Sequence, residues 1–405
     1  MKKLIIFLIP SLMFLKIKFI GELYVPEIAS IIILLLYLKK NYFNLKKYLG
    51  TFYSLCFIFL FSQIFTDIYR NSLPVDYLRG WSNIFFFIIH VSALFILLDN
   101  NKQNLFLFGI GMSFGWILTF FISPNIYALG GQYWKFGYGY AITFIFAILT
   151  TQKLFNGEIL KSFIFFILSV VNFYMGYRSA AGACLLVFFL IFLSNLNVFQ
   201  QLISSDKSYL KKFIVTISFL FISLYFINLI YTYLAYNQYL GSYEYERLIQ
   251  QSGSLGVIVG GRQELLTSIY AIFKSPLIGY GSWAYNPFSE NIISDLLLKF
   301  GYFNTPPMLG YANDRIPVHS HILGSWITAG FFGIFIWLWL LKEIIKALII
   351  NLQTKNDWSY YFIFVCIIFA WEIFFSTFKG EGRFNSAYYV CVMIYINNFI
   401  KLNDK

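Results

Sequence analysis

Apolar runs long enough to cross a bilayer recur along the whole of this chain, separated by short polar stretches. A run of about 16 to 24 residues matches a hydrocarbon core of about 30 Å, and in that solvent the backbone has to satisfy its own hydrogen bonds, so each run is expected to be a helix. Twelve spans are predicted, near residues 4–20, 24–38, 48–66, 80–98, 104–123, 137–152, 160–177, 179–197, 212–235, 321–341, 358–377 and 386–400. The expected fold is therefore an all-α, polytopic integral membrane protein. Residues 1–235 would carry nine helices, 236–318 a large outward loop with amphipathic helices, and 319–405 three more. The opening MKKLIIFLIPSLMFL has the charged start and apolar centre of a signal peptide. Lys16, Lys18 and aromatics follow instead of a small-residue cleavage site, so it reads as an uncleaved first span.

A net charge of +12 raises the question of nucleic acid. The basic residues lie in short clusters between apolar runs, which is how membrane orientation is encoded, so no nucleic-acid partner is expected. With both termini cytoplasmic, the inward loops hold LKKNYFNLKK, NNKQ, TTQKLFNGEILK, SSDKSYLKK, LKEIIKALIINLQTKND and KLNDK, a consistent lysine excess. Cys56, Cys184, Cys366 and Cys391 fall inside predicted spans without metal-ligand spacing and read as small core residues.

The same partition puts all seven arginines, Arg70, Arg79, Arg178, Arg247, Arg262, Arg315 and Arg383, on the outward side. A guanidinium is a planar fork that grips phosphate or carboxylate with two bonds and tolerates partial desolvation, so this face is suited to an anionic ligand. The alternative is that each arginine snorkels or pairs with an acid such as Asp67, Asp76, Glu244 or Glu246. Both readings stand for Arg70, Arg79 and Arg247. Arg178 and Arg262 have Ser, Ala and Gly neighbours, which favours a ligand. After Gly260 and Gly261 the apolar spacing predicts an amphipathic helix with Arg262 at its N-terminus, where backbone N–H groups already favour an anion. SPLIGYG, with Pro276, Gly279 and Gly281, ends it in tight turns.

Of three histidines, His319 and His321 adjoin the tenth span and are candidates for proton transfer, for ligand binding, or for a capping role. His90, in mid-span, is expected to be buried and hydrogen-bonded. Glu372 is expected either to pair with Lys379 or an arginine, or to touch a substrate. No carboxylate or thiol cluster completes a metal site around the histidines, so no metal and no cofactor are expected.

GYRSAAGACL (Gly176 to Leu185), Arg262 followed by Pro276, Gly279 and Gly281, and His319-Ser320 leading through Leu323 to Gly330 and Gly333 together resemble the O-antigen polymerase and O-antigen ligase superfamily of bacterial surface-polysaccharide assembly. The likeness covers about half the chain, from the seventh span to the tenth, and rests on the order of motifs. A tryptophan common after the loop arginine is missing here, and Tyr177 stands where serine is common. The resemblance implies a helical bundle of the GT-C kind in the bacterial inner membrane. It implies a metal-independent, inverting glycosyltransferase that takes undecaprenyl-pyrophosphate-linked glycan as donor and acceptor at the periplasmic face. Arg178 and Arg262 would hold the pyrophosphate, His319 or His321 would activate the acceptor hydroxyl, and Arg79, Arg315, Arg383 and Glu372 are further candidate substrate contacts. A chain-length regulator is a candidate partner. A polymerase is the expected activity, with the related ligase and, in another class, a flippase for the same lipid-linked glycan as alternatives.

Overall fold

The computed structural model describes residues 2–18, 21–152, 157–194, 197–203, 207–254, 256–262, 264–288, 295, 298–302 and 315–400. The chain is 79% helical. The helices are α1 (Lys2–Ser11), α2 (Val25–Arg70), α3 (Pro74–Leu98), α4 (Lys102–Ile122), α5 (Ile126–Leu129), α6 (Gly139–Leu149), α7 (Glu158–Tyr174), α8 (Arg178–Ser194), α9 (Asn197–Ile203), α10 (Tyr209–Tyr236), α11 (Ser242–Gln251), α12 (Gly256–Gly260), α13 (Glu264–Lys274), α14 (His321–Ala329), α15 (Phe335–Thr354), α16 (Ser359–Phe375) and α17 (Glu381–Phe399). One small antiparallel hairpin joins β1 (Lys16–Lys18) to β2 (Glu22–Tyr24).

Among the described residues four helices are long and apolar enough to cross a membrane: α2, α3, α4 and α10. Shorter apolar helices cover Trp134–Leu149, Arg178–Phe192 and Ser359–Phe375. Where the described helices depart from the expected spans, the reasons are local. The first expected span stops at Ser11, because Lys16–Lys18 turns back to pair with Glu22–Tyr24. The expected tenth span breaks at Gly330, whose φ of +69° ends α14 after nine residues, before a short 3-10 turn leads into α15. α15 then runs through Lys342, Glu343 and Lys346, which hydropathy assigns to a loop.

The second and third expected spans share α2, one helix of 46 residues. Ser30 Oγ bonds His90 Nδ1 at 2.9 Å, and Tyr53 OH meets Ser92 Oγ at 2.8 Å. His90 and Ser92 are about 3 Å apart along the axis of α3, whereas a straight helix from Ser30 to Tyr53 would cover about 34 Å. α2 therefore bends strongly between those positions, and both of its apolar stretches lie against the same part of α3.

The core is one continuous apolar mass drawn from α1 to α4, α6 to α8 and α14 to α17, with α16 and α17 almost wholly buried in it. All four cysteines are buried and free. Inside lies one charged cluster: Arg383 pairs with Glu27 and donates to Asn83 Oδ1 at 2.6 Å, and His90 Nε2 is 3.8 Å from Glu27. His90 is buried and hydrogen-bonded, as its mid-span position predicts. Outward faces carry exposed Leu, Ile, Phe and Tyr, as on α10 (Phe221, Ile222, Phe226), which suits contact with lipid.

The ends of the bundle differ in chemistry. One gathers Lys2 with Asp99 (3.0 Å), Lys161 with Asp357 (2.6 Å) and Asn397 with Glu343 (2.8 Å). The opposite end gathers the C-terminus of α2 and the starts of α3, α8 and α14, and there all the arginines except Arg383 are found. Described parts of the 236–318 stretch pack on the bundle. Ala271, Ile272, Ala284 and Ile316 share a small core with Ile327 of α14. Thr66 Oγ1 bonds Ile278 O (2.6 Å), Arg70 bonds Gly279 O (2.7 Å) and Tyr280 N bonds Ile327 O (2.7 Å).

Candidate functional site

The site begins with two backbone breaks. α7 ends at Tyr174, and Gly176 at φ +72° lets the chain reverse within three residues, so Arg178 is the first residue of α8. Upstream of α6, a wide turn at Trp134–Tyr138 with non-helical geometry at Gly137 carries Lys135; Trp134 Nε1 donates to Asn172 Oδ1 at 2.9 Å and ties this turn to α7. α13 starts at Glu264, two residues later than the expected start at Arg262, and residues 256–260 form a helical turn of their own. Arg262 sits just before α13, where its carbonyl accepts from Leu265 N at 2.9 Å.

These breaks bring cations from four elements together. Arg178 donates to Tyr231 OH (2.7 Å) and Gln251 Oε1 (2.9 Å), with Glu244 at 3.9 Å. Glu244 also meets Arg247 at 3.4 Å and accepts from Tyr231 OH at 3.0 Å. Lys135 feels the fields of Arg247, Arg178 and Arg262. Arg178 is thus not the unpartnered arginine that its small neighbours suggest. Arg262 is: its guanidinium lies 6.0 Å from the Phe375 ring and makes no hydrogen bond or ion pair to a described residue. Burial lowers its pKa, Glu264 opposes that shift, and Arg178 and Arg247 add to it. Cations crowded in this way can hold an anion.

The two histidines separate cleanly. Glu264 and Ser268 lie one helical turn apart on α13 and so share a face. Ser268 Oγ donates to Pro317 O at 3.1 Å, and the neighbouring turn places His319 Nδ1 3.6 Å from Glu264 Oε1. The His319 side chain is 36% exposed. Burial holds its imidazole below the ordinary histidine value; Glu264 pulls it back up, while Arg262 and Lys379 press it down. His321 is 1% exposed, with its ring 4.7 Å from Trp337 and 5.3 Å from Phe378. Of the two imidazoles, only that of His319 opens toward the arginines. Between them Ser320 caps α14, its Oγ accepting from Leu323 N at 3.2 Å.

The glycines that follow have a steric explanation. Gly279 (φ +81°) and Gly330 (φ +69°) meet backbone to backbone, and a Cβ on Gly279 would lie 2.7 Å from Gly330 N. Their close approach locks the turn after α13 onto the end of α14, which fixes Glu264 relative to His319.

The remaining candidates fall into three places. Arg79 and Arg315 belong to a second group around Trp283, 5.3 Å and 2.9 Å from its ring centroid. Arg383 is committed to Glu27 and Asn83 in the interior and is not available as a substrate contact. Glu372 forms no ion pair with Lys379 or an arginine; it lies within electrostatic range of Tyr140, Tyr177 and Tyr389. No family model, curated protein or solved structure matches this chain.

Proposed function

We propose that the protein is a membrane glycosyltransferase that polymerises lipid-linked oligosaccharide repeat units, with undecaprenyl-pyrophosphate-linked glycan as donor. The observation that carries this reading is the meeting of an unpaired guanidinium, Arg262, with the His319–Glu264 pair at one end of an apolar bundle. Arg178 and Arg262, backed by Arg247 and Lys135, would hold the donor pyrophosphate and stabilise the charge that grows on it. His319, neutral near pH 7, takes the proton of the acceptor hydroxyl; the hydroxyl oxygen bonds to the anomeric carbon from the face opposite the pyrophosphate. The bond from that carbon to the phosphoryl oxygen breaks, its electron pair leaves with the lipid pyrophosphate, and configuration inverts. Glu264 steadies the imidazolium that forms. An isoprenoid chain fits this arrangement, because the exposed apolar faces below the arginines can take it while sugars project beyond the bundle. The bacterial inner membrane, a periplasmic site and cytoplasmic termini belong to the same reading, supported by the lysine-rich end opposite the arginines.

Deletion of the gene, followed by complementation, tests it through the surface glycan. Wild type is expected to restore a polymer ladder, while Arg262→Lys and Arg178→Lys leave single repeats, since an ammonium cannot reproduce the two-bond fork. Normal polymer with both variants overturns the pyrophosphate assignment. Finished polymer accumulating on its lipid carrier in the deletion strain would instead make the protein the ligase.

A further inference from the structure

A second cationic group gathers around Trp283 and adjoins His319 through Lys379, and the reaction proposed above leaves it without a role. Arg315 stacks on the Trp283 indole at 2.9 Å from the ring centroid, with Arg79 at 5.3 Å and the Lys379 ammonium at 6.0 Å. Neither the Arg315 guanidinium nor the Lys379 ammonium makes a hydrogen bond or ion pair to a described residue. Asp76 is the acid nearest in effect to Arg315, and its Oδ2 already accepts from Tyr285 OH at 2.9 Å. Lys379 is within electrostatic range of both Arg315 and His319, so the group adjoins the imidazole.

The platform is built rigidly. Asp67 accepts from Ser282 N at 2.7 Å and from Trp81 Nε1 at 2.8 Å, and Gly281 turns at φ +86° beside it. Gly80 packs so closely on Ser282 that a Cβ there would overlap the serine side chain. Arg315 is set beside the indole by a backbone bridge to Tyr285, with Ile316 N donating to Ala284 O at 2.9 Å. A guanidinium held over an indole is attracted by the ring without spending its N–H donors on an acceptor, which leaves them for an anion. Aromatic rings pack the apolar faces of sugars, and cations beside them take acidic substituents.

We infer that Trp283, Arg315 and Lys379, with Arg79, form the acceptor subsite and select a glycan whose terminal sugar bears a carboxylate. The inference rests on the proposed transferase reading and narrows its substrate class to acidic repeat units. The shared chemistry is an anion at the membrane surface, and the subsite is assigned to the sugar because its indole suits a sugar face, which the group of Arg178 and Arg262 lacks among the described residues.

Binding to the full-length protein in nanodiscs of zwitterionic lipid tests it, with three probes: a glucuronic-acid-terminated disaccharide, its glucose-terminated analogue and farnesyl diphosphate. Wild type is expected to bind the acidic disaccharide at least ten-fold more tightly than the neutral one. Arg315→Gln and Lys379→Gln should each abolish that preference while thermal melting and farnesyl diphosphate binding stay as in wild type. Equal affinity of wild type for the two disaccharides, or a preference retained in both variants, overturns the inference. Loss of farnesyl diphosphate binding in Arg315→Gln also overturns it, by making the group a second lipid-diphosphate site. Farnesyl diphosphate binding that survives Arg262→Ala defeats the donor reading instead, and leaves the sugar preference as a separate result.

Discussion

Glu264 Oε1 stands 3.6 Å from Nδ1 of His319, on a helix whose next turn fixes the chain carrying that histidine through Ser268 and Pro317. The pair orients an imidazole beside Arg262, and its separation leaves room for tightening when substrate binds.

The pH dependence follows from that pair. Burial lowers the His319 pKa, so the neutral base persists as pH falls through the ordinary value of 6.5, and activity is lost only below it. Glu264 opposes the shift, so Glu264→Gln should move the acidic limb of the rate profile to still lower pH. The rate at the plateau should fall by about 10²-fold, as expected for weakened general-base catalysis. A limb that moves to higher pH would contradict the assignment.

Removing the arginine fork should act on the chemical step. Arg262→Ala is expected to lower kcat by about 10²- to 10³-fold, the usual loss for one stabiliser of developing charge. Arg178→Ala should also weaken the fold locally, because it strands Tyr231, Gln251 and Glu244. Single-turnover rates alongside melting curves separate the two effects.

Gly330→Ala should disturb the site without touching it. The residue has φ +69° and its backbone abuts Leu277 and Ile278, so a Cβ adds both strain and collision. A cost of about 1–3 kcal/mol is expected for such a conformation. It would be read as a lowered Tm together with reduced turnover, while Gly50→Ala, which has open space around it, should leave both unchanged.

Arg383→Ala should remove protein and not merely slow it. Breaking a buried pair leaves Glu27 without its cation, held only by Tyr24 N at 2.7 Å and His90 at 3.8 Å, at about 3–5 kcal/mol. The Glu27→Gln/Arg383→Met double variant should recover part of the lost abundance, measured by quantitative blotting of membranes. Full abundance of Arg383→Ala would show that Glu27 finds another partner.

Much of this architecture is legible in the sequence as hydropathy, because lipid forces apolar runs into helices. The failures come where backbone geometry overrides composition. Lys16–Lys18 falls inside a predicted span, yet it pairs with Glu22–Tyr24 as a hairpin. Hydropathy does not register that Gly330 has to adopt positive φ, and LKKNYFNLKK looks like a loop although α2 carries it in helical form. In the site, the small neighbours of Arg178 and Arg262 mark both residues, but not that Gln251, Tyr231 and Glu244 return to one of them from far along the chain. Lys135, Lys379 and Glu264 escape a reading by motif.

The most direct test of the central claim is a reconstituted reaction. Purified protein in liposomes should convert a synthetic undecaprenyl-pyrophosphate repeat unit into a ladder of products, releasing one undecaprenyl pyrophosphate for each linkage formed, without added metal. His319→Ala should abolish the ladder, and His321→Ala, if it folds, should leave a measurable one. A wild-type ladder that survives His319→Ala and Arg262→Ala unchanged would contradict the account.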